Sequence, residues 1–162
     1  NFTLTSKPTS IFGMFLMFVG SAPGSTAGGI KVTTFFILLV FVYSYIRNKN
    51  ACSIYNRSIS ISLALRALVK FFVSVSILSI AIFILSIFEN ASLLDISFEC
   101  VSAFGTVGLS LGITPYLTDI GKITIILLMF IGRVTPLAIL YSIIKEAPKD
   151  NVQYPDENIS II

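Results

Sequence analysis

The sequence contains no histidine, and its 162 residues include only two cysteines, Cys52 and Cys100. Histidine is the side chain that most often serves as a general base or a transition-metal ligand, so its absence makes both kinds of site less expected in this chain. The two cysteines lie far apart and in no metal-ligand spacing, and we expect ordinary reduced thiols. No segment long enough to span a membrane carries a pair of carboxylates. We therefore predict that the chain is not an enzyme and holds no cofactor.

Charged residues are also scarce. They make up 12% of the chain, against 55% apolar residues, and the mean hydropathy is +0.92. Soluble domains carry roughly a quarter of charged residues, so this composition indicates a membrane protein. The net charge of +3 is better explained by membrane orientation than by binding to nucleic acid. The chain has no initiating methionine and no signal-peptide pattern, and we expect a fragment of a longer protein.

Long apolar runs are what the sequence does have. A membrane-spanning helix needs about 20 apolar residues. Three runs qualify: 11–46, which Gly20 to Gly29 interrupt; 67–88; and 123–144, which carries Arg133 at its centre. A fourth run, 93–104, is too short to cross and suits a re-entrant helix. We predict an all-α membrane protein in which 67–145 forms one unit of span, short helix, loop and span.

The charges between these runs indicate an orientation. Basic residues occupy the 47–66 connector (Arg47, Lys49, Arg57, Arg66) and follow the last span (Lys145, Lys149), whereas acidic residues (Glu89, Asp95, Glu99, Asp119) dominate 89–122. The positive-inside rule then places the connector and the C-terminus in the cytoplasm and the N-terminus outside.

The short helix has signals at both ends. Ser92 and Asp95 have the spacing of a capping box, and Gly105 is a stop. If this helix enters from the outer face, its C-terminus points into the membrane, where the helix dipole favours a cation. The motif "LMFVG" at 16–20 recurs as "LMFIG" at 128–132, which indicates that the first span closes an earlier unit of the same kind.

The loop "GTVGLSLGITP", 105–115, follows the short helix directly. A glycine-punctuated loop in this position is the layout of a selectivity filter, in which backbone carbonyls replace the hydration shell of a cation. Gly108 matters because glycine reaches backbone angles closed to other residues. A plain extracellular turn is the alternative. One such loop cannot form a ring, so a pore would need further loops.

The stretch "PGSTAGGIK", 23–31, interrupts the first apolar run. Gly24 and Gly29 have the spacing of a phosphate-binding loop, but Ile30 stands before Lys31 and Val32 follows it, which departs from that pattern. A simple helix kink and a mobile gate both remain open, because small residues suit either one.

Two motifs resemble the Trk/Ktr/HKT superfamily of potassium-transport membrane subunits. "SAFGTVGLSLGITPYL" followed by "GKITIILLMFIGRVTPL" is similar to the fourth repeat of that superfamily, and "GSAPGSTAGGIKVTTF" is similar to the broken helix of its third repeat. The tail "YPDENISI" resembles the Ktr-type tail. In this superfamily four span–pore-helix–span repeats surround one pore. The resemblance implies the last helix of repeat three (1–46) and repeat four (67–145), comprising span 67–88, pore helix 93–104, filter 105–110 and span 123–144.

The resemblance implies roles for individual residues. The ion filter would be Thr106, Val107, Gly108 and Leu109, binding K+ through backbone carbonyls. Arg133 would reach toward the gate loop, although the chain has Thr135 where the family pattern expects glycine. The gate loop would comprise Ser21, Ala22, Pro23, Gly24, Ser25, Thr26, Ala27, Gly28, Gly29 and Ile30.

Other features leave alternatives open. Arg133 is either a structural arginine or a gating residue, and Lys31 is either a snorkelling anchor or a residue that positions the loop. Asp95 is interpreted as a cap of the short helix. Glu99 either adds negative electrostatic potential near the pore entrance or forms a local hydrogen bond.

The resemblance also implies function and partners: K+ uptake across the plasma membrane, Na+ as a candidate coupling ion, and pairing as a homodimer. A cytoplasmic nucleotide-binding regulatory ring would be a further partner, and membrane lipid would surround the spans. The alternative function is a non-conducting membrane scaffold that anchors partners through its basic connector.

Overall fold

The computed structural model of the protein describes residues 6–47, 52–54 and 57–134. Helices dominate these ranges: α1 (Lys7–Val19), α2 (Val32–Ile46), α3 (Ile61–Phe88), α4 (Leu93–Gly105) and α5 (Asp119–Val134). A short 3-10 helix, Thr114–Tyr116, lies between α4 and α5. The later part of the predicted span 123–144 and the whole 146–162 tail lie outside the described residues.

The all-α prediction misses one small feature of the connector. Two three-residue strands, β1 (Cys52–Ile54) and β2 (Arg57–Ile59), pair antiparallel, with Cys52 opposite Ile59. Apolar residues alternate with serine here, and β-branched residues favour extended backbone. The alternation covers only three residues in each strand, so it is a weak signal beside the basic charge of the connector. The body of the chain is nonetheless helical, as predicted.

Among the described residues, α3 is the one helix long and apolar enough to cross a membrane; α1 and α2 are shorter apolar helices. Helix α3 begins at Ile61, earlier than the predicted residue 67. The residues from 61 to 66, "ISLALR", contain leucine, alanine and arginine, which are good helix formers, so the helix begins before the predicted span.

The first apolar run is broken, since α1 ends at Val19 and α2 begins at Val32. Backbone φ is positive at Gly20, Gly24, Gly29 and Lys31. A right-handed helix cannot continue through such residues, so a loop separates the two short helices.

Helix α4 lies at the centre of the molecule and contacts α1, α3 and α5. Every residue from Phe98 to Gly105 is buried. A helix hydrophobic on all sides needs neighbours on all sides, which suits a short helix enclosed by longer ones. The core around it comprises Met17, Leu78, Ala81, Leu85, Ile96, Phe98, Cys100, Val101, Ala103, Phe104, Leu117, Ile125 and Leu128.

Candidate functional site

Three backbone segments meet at the C-terminal end of α4. A Cβ atom added to Gly132 of α5 would lie 2.0 Å from the carbonyl oxygen of Phe104. A Cβ on Gly28 would lie 2.9 Å from the oxygens of both Phe104 and Gly132. Such distances are shorter than side-chain packing permits, so glycine allows the loop, α4 and α5 to touch through their backbones. The 21–30 loop is thereby placed directly against the end of α4.

The 106–109 segment leaves α4 at Thr106, whose φ of 53° is left-handed. Its amide groups are held by the last turn of α4. The Thr106 N–H donates to the carbonyl of Ala103 at 3.1 Å, and the Val107 N–H donates to that of Ser102 at 3.0 Å. The Leu109 N–H donates to Oγ of Ser102 at 2.9 Å. Ser102 thus holds the segment from both ends.

The carbonyl groups of this segment have a different environment. In the described part of the chain, no hydrogen bond is donated to the carbonyl oxygens of Thr106, Val107 or Gly108. Gly108 has a φ of +82° and open space around its Cβ position. A segment with its amides bonded inward and its carbonyl oxygens unused can present oxygen ligands to a cation. The arrangement suits hard cations that prefer oxygen.

The 21–30 loop bonds directly to the 106–109 segment. The Gly28 N–H donates to Oγ1 of Thr106 at 2.8 Å and to the carbonyl of Gly105 at 3.2 Å. Gly28, Gly29 and Ile30 are buried, whereas Ala22 through Thr26 are exposed. The loop therefore has an anchored end, 28–30, and an exposed tip, 22–26.

Lys31 is hydrogen-bonded to this loop. The Nζ atom donates to the carbonyl of Ala27 at 2.6 Å and to that of Ser25 at 3.4 Å. The hydroxyls of Ser21 and Ser25 are also hydrogen-bonded to each other. Of the two interpretations of Lys31, these bonds favour the loop-positioning one over a snorkelling anchor.

Arg133 is the chain neighbour of a residue that touches the loop, but its side chain is not bonded to the loop. It follows Gly132, whose carbonyl oxygen abuts Gly28, yet its own side chain is exposed. Within the described ranges no hydrogen bond or ion pair joins Arg133 to the loop. The contact that the resemblance implies stays a prediction.

Glu99 is a buried carboxyl on α4, with 6% of its surface exposed. Its Oε1 atom accepts a hydrogen bond from the Thr114 hydroxyl at 2.5 Å. It lines a pocket of about 350 Å³ together with the whole 106–109 segment and with Ile125 and Met129 of α5. Of the two alternatives for Glu99, the local hydrogen bond is present.

Two outer residues organise the helix ends. The Ser92 hydroxyl accepts from the Asp95 N–H at 3.2 Å and donates to the Asp95 carboxylate at 2.7 Å, so Ser92 caps α4. Sequence reasoning missed Glu89, whose Oε1 accepts from the N–H of Thr118 at 3.0 Å and from its hydroxyl at 2.6 Å. This carboxylate joins the end of α3 to the start of α5.

Sequence reasoning also missed Ser102 and Thr114. The only available signal was the presence of hydroxyl side chains beside a glycine-rich loop in an otherwise apolar region. That signal names no bonding partner, because the partners are set by the way the loop folds back on α4.

A buried short helix ends in a loop whose carbonyl oxygens accept no hydrogen bond among the described residues, and apolar helices surround both. This arrangement is typical of a membrane transport protein. Residues 4–154 match the family described as cation transport protein (TrkH), and the chain belongs to this family. The resemblance noted from the sequence is thereby confirmed.

Curated relatives agree with this assignment. The chain is 45% identical to the Ktr system potassium uptake protein B of Bacillus subtilis (strain 168), over 93% of the chain and 34% of that protein. It is 43% identical to the potassium/sodium uptake protein NtpJ of Enterococcus hirae, over 93% of the chain and 35% of that protein. It is 34% identical to the Ktr system potassium uptake protein B of Vibrio alginolyticus, over 97% of the chain and 34% of that protein.

The chain thus spans about a third of the length of these relatives. All three are named as uptake proteins and not as enzymes, in agreement with the prediction of a non-enzymatic transport protein.

Proposed function

We propose that this chain is the C-terminal part of the pore-forming subunit of a K+ uptake system of the plasma membrane. The 106–109 segment would bind K+ through backbone carbonyls, and the 21–30 loop would gate the path beneath it. The observation that carries the proposal is the division of the segment into bonded amides and unused carbonyls at the end of a buried helix.

The contact between Gly28 and Thr106 supports the gate. The bond between the loop and Thr106, the first residue of the proposed filter, supports a position in which the loop would obstruct an ion leaving that filter. Its exposed tip has the small residues that a mobile segment needs, and its anchored end fixes the position. Arg133 is proposed as a further gate-contacting residue, alongside Lys31.

The names of the relatives and the charge pattern of the sequence support proposals on partners and topology. The relatives' designation as parts of a Ktr system supports a multi-component assembly. We propose a homodimer with a cytoplasmic nucleotide-binding ring, and multiple membrane crossings with the N-terminus outside and the C-terminus in the cytoplasm. Na+ is the candidate coupling ion, supported by the potassium/sodium name of one relative.

The filter is tested with Gly108→Ser in the complete protein. A serine side chain has room at this position, because nothing lies within 4 Å of the Cβ position of Gly108. The backbone is unsuitable for serine, because the φ of Gly108 is +82°. Positive φ costs a non-glycine residue about 1–2 kcal/mol, so the backbone shifts and the carbonyls move. In liposome flux assays we expect the K+/Na+ preference to fall about fivefold or more.

Gly24→Ser is the matched control. Gly24 has a φ of +85° and equally open surroundings, but it lies in the exposed loop tip. It should keep the ion preference. If both variants retain the parental preference, the filter assignment is wrong. If the unaltered protein carries no K+ at all, the non-conducting scaffold becomes the better description.

A further inference from the structure

Glu99 lies at the end of a chain of hydrogen bonds that begins in the loop beyond the 106–109 segment. The Gly112 N–H donates to Oγ of Ser110 at 3.0 Å. The Ser110 and Thr114 hydroxyl oxygens are 2.8 Å apart, and the Thr114 hydroxyl lies 2.5 Å from Oε1 of Glu99. The Thr114 hydroxyl is placed to donate to Oγ of Ser110 and to Oε1 of Glu99, so Thr114 links the loop to α4.

Such a chain needs an acceptor at its end. A carboxylate only accepts, and charged acceptors form shorter and stronger bonds than neutral ones. The bond from the Thr114 hydroxyl to Oε1 of Glu99, at 2.5 Å, is therefore a strong link between the loop 110–114 and α4. The other carboxylate oxygen, Oε2, is buried and has no hydrogen-bond partner among the described residues. The buried carboxylate is therefore retained at a cost in free energy, which its bond to the loop offsets in part.

The pocket explains why the loop needs this support. It separates the 106–109 segment from Ile125 and Met129 of α5, so this side of the segment has little packing. Ser102 of α4 holds the Val107 and Leu109 amides of the segment. The loop that continues from its outer end is held by the bonds of Ser110 and Thr114, which lead to Glu99.

We propose that Glu99 is a positioning residue for ion selection, because its Oε1 atom fixes the outer end of the 106–109 segment through Thr114 and Ser110. The proposal rests on the proposed filter. Glu99 touches no ion; it sets where the neighbouring carbonyl oxygens lie, and carbonyl positions determine the preference among cations.

Three variants of the complete protein separate this bracing from a simple effect of charge. Thr114→Val removes the link and keeps the carboxylate. Glu99→Ala removes the acceptor, and Glu99→Gln removes the charge but keeps an oxygen that can accept from Thr114. We expect the first two to lower the K+/Na+ flux ratio about tenfold, equivalent to about 1.4 kcal/mol, and Glu99→Gln to stay within about threefold of the parent.

Controls address folding and non-specific effects. Thr114→Ser keeps the hydroxyl and should restore the parental ratio. Thr124→Val makes the same change on α5, where the hydroxyl bonds to the carbonyl of Ile120 in its own helix, and should leave the ratio unchanged. Total K+ flux is measured alongside, because a general folding defect lowers flux for both ions equally.

A second readout does not depend on transport. Amide hydrogen exchange of residues 106–114 should speed up about tenfold in Thr114→Val and Glu99→Ala, because the brace is gone, and should not change in Thr124→Val. An unchanged exchange rate in both variants overturns the proposal even if the protein carries no ions. A flux ratio that falls as far in Glu99→Gln as in Glu99→Ala, with Thr114→Val unaffected, also overturns it, because charge would then be the cause.

Discussion

Gly132 and Gly28 show how single residues position the site. Both permit backbone-to-backbone contact with the last turn of α4, and the two also contact each other. A methyl group at Gly132 would lie 2.0 Å from the Phe104 carbonyl oxygen, and a backbone atom cannot move aside as the end of a side chain can. The contact therefore depends on the absence of a side chain.

Replacing Gly132 with alanine should destabilise the protein. Overpacking of this kind costs about 1–3 kcal/mol, and a clash with backbone lies at the upper end. We expect a clearly lower midpoint for thermal unfolding of the complete protein in detergent. Gly13→Ala is the control, because its Cβ would lie 4.0 Å from Cε2 of Phe98, an ordinary contact. Equal midpoints for the two variants would show that α5 does not pack on α4 as described.

The sequence predicts a role for some of the glycines at the site but not for others. Gly108 could be singled out from its place in a glycine-punctuated loop, since that is a local pattern. The contact of Gly132 with Phe104 could not, because it joins two helices whose relative placement no local pattern contains. The same holds for Ser102, Thr106 and Glu99, whose partners arise when the loop folds back.

Among the elements, the broken helix and α4 follow from local signals. The predicted short helix 93–104 corresponds to α4 at Leu93–Gly105, where a cap and a glycine mark the two ends. The break predicted at Gly20 to Gly29 corresponds to the segment between α1 and α2. The strands β1 and β2 were not predicted, because three-residue segments carry weak signals. The early start of α3 was not predicted either, because Arg66 marked the edge of the predicted span although the residues before it are helix formers.

The loop between α1 and α2 offers an element-scale prediction. Deleting Pro23 to Ser25 removes part of the exposed tip and leaves the anchored end in place, and Lys31→Met removes the donor that holds the Ala27 and Ser25 carbonyls. If the tip obstructs the path, both changes should raise basal K+ flux of the complete protein, by about threefold or more if closure is stabilised by about 0.7 kcal/mol or more.

Lys122→Met serves as the control for the lysine substitution. Lys122 lies at the start of α5, where it pairs with Asp119 at 3.5 Å on an exposed surface. It should leave flux unchanged. Flux that stays level or falls in both loop variants would contradict an obstructing loop and would favour a plain kink.

At the scale of the whole molecule, the described helices expose many large apolar side chains. Phe12 on α1, Phe36 on α2, Phe83 on α3 and Phe130 on α5 are each more than half exposed. Apolar faces of this size in a soluble protein would drive association. In a chain that spans about a third of its relatives, they suit contact with lipid and with the rest of the protein.

Charge and fold together predict which ends of the helices face which side of the membrane. The basic connector precedes α3, and the acidic segment follows it, so the positive-inside rule places Ser60 on the cytoplasmic side and Tyr116 outside. Both residues are exposed, and Tyr116 is 85% exposed.

In a Cys52→Ser background, Ser60→Cys and Tyr116→Cys should react with an impermeant maleimide from opposite sides of the membrane, tested in intact cells and in inverted vesicles. Cys100 is buried, so the Cys52→Ser protein without a further substitution should stay unlabelled at this residue and serves as the control. Labelling of both variants from the same side would mean that α3 does not cross the membrane, and the orientation proposed for the gate and the filter would fall with it.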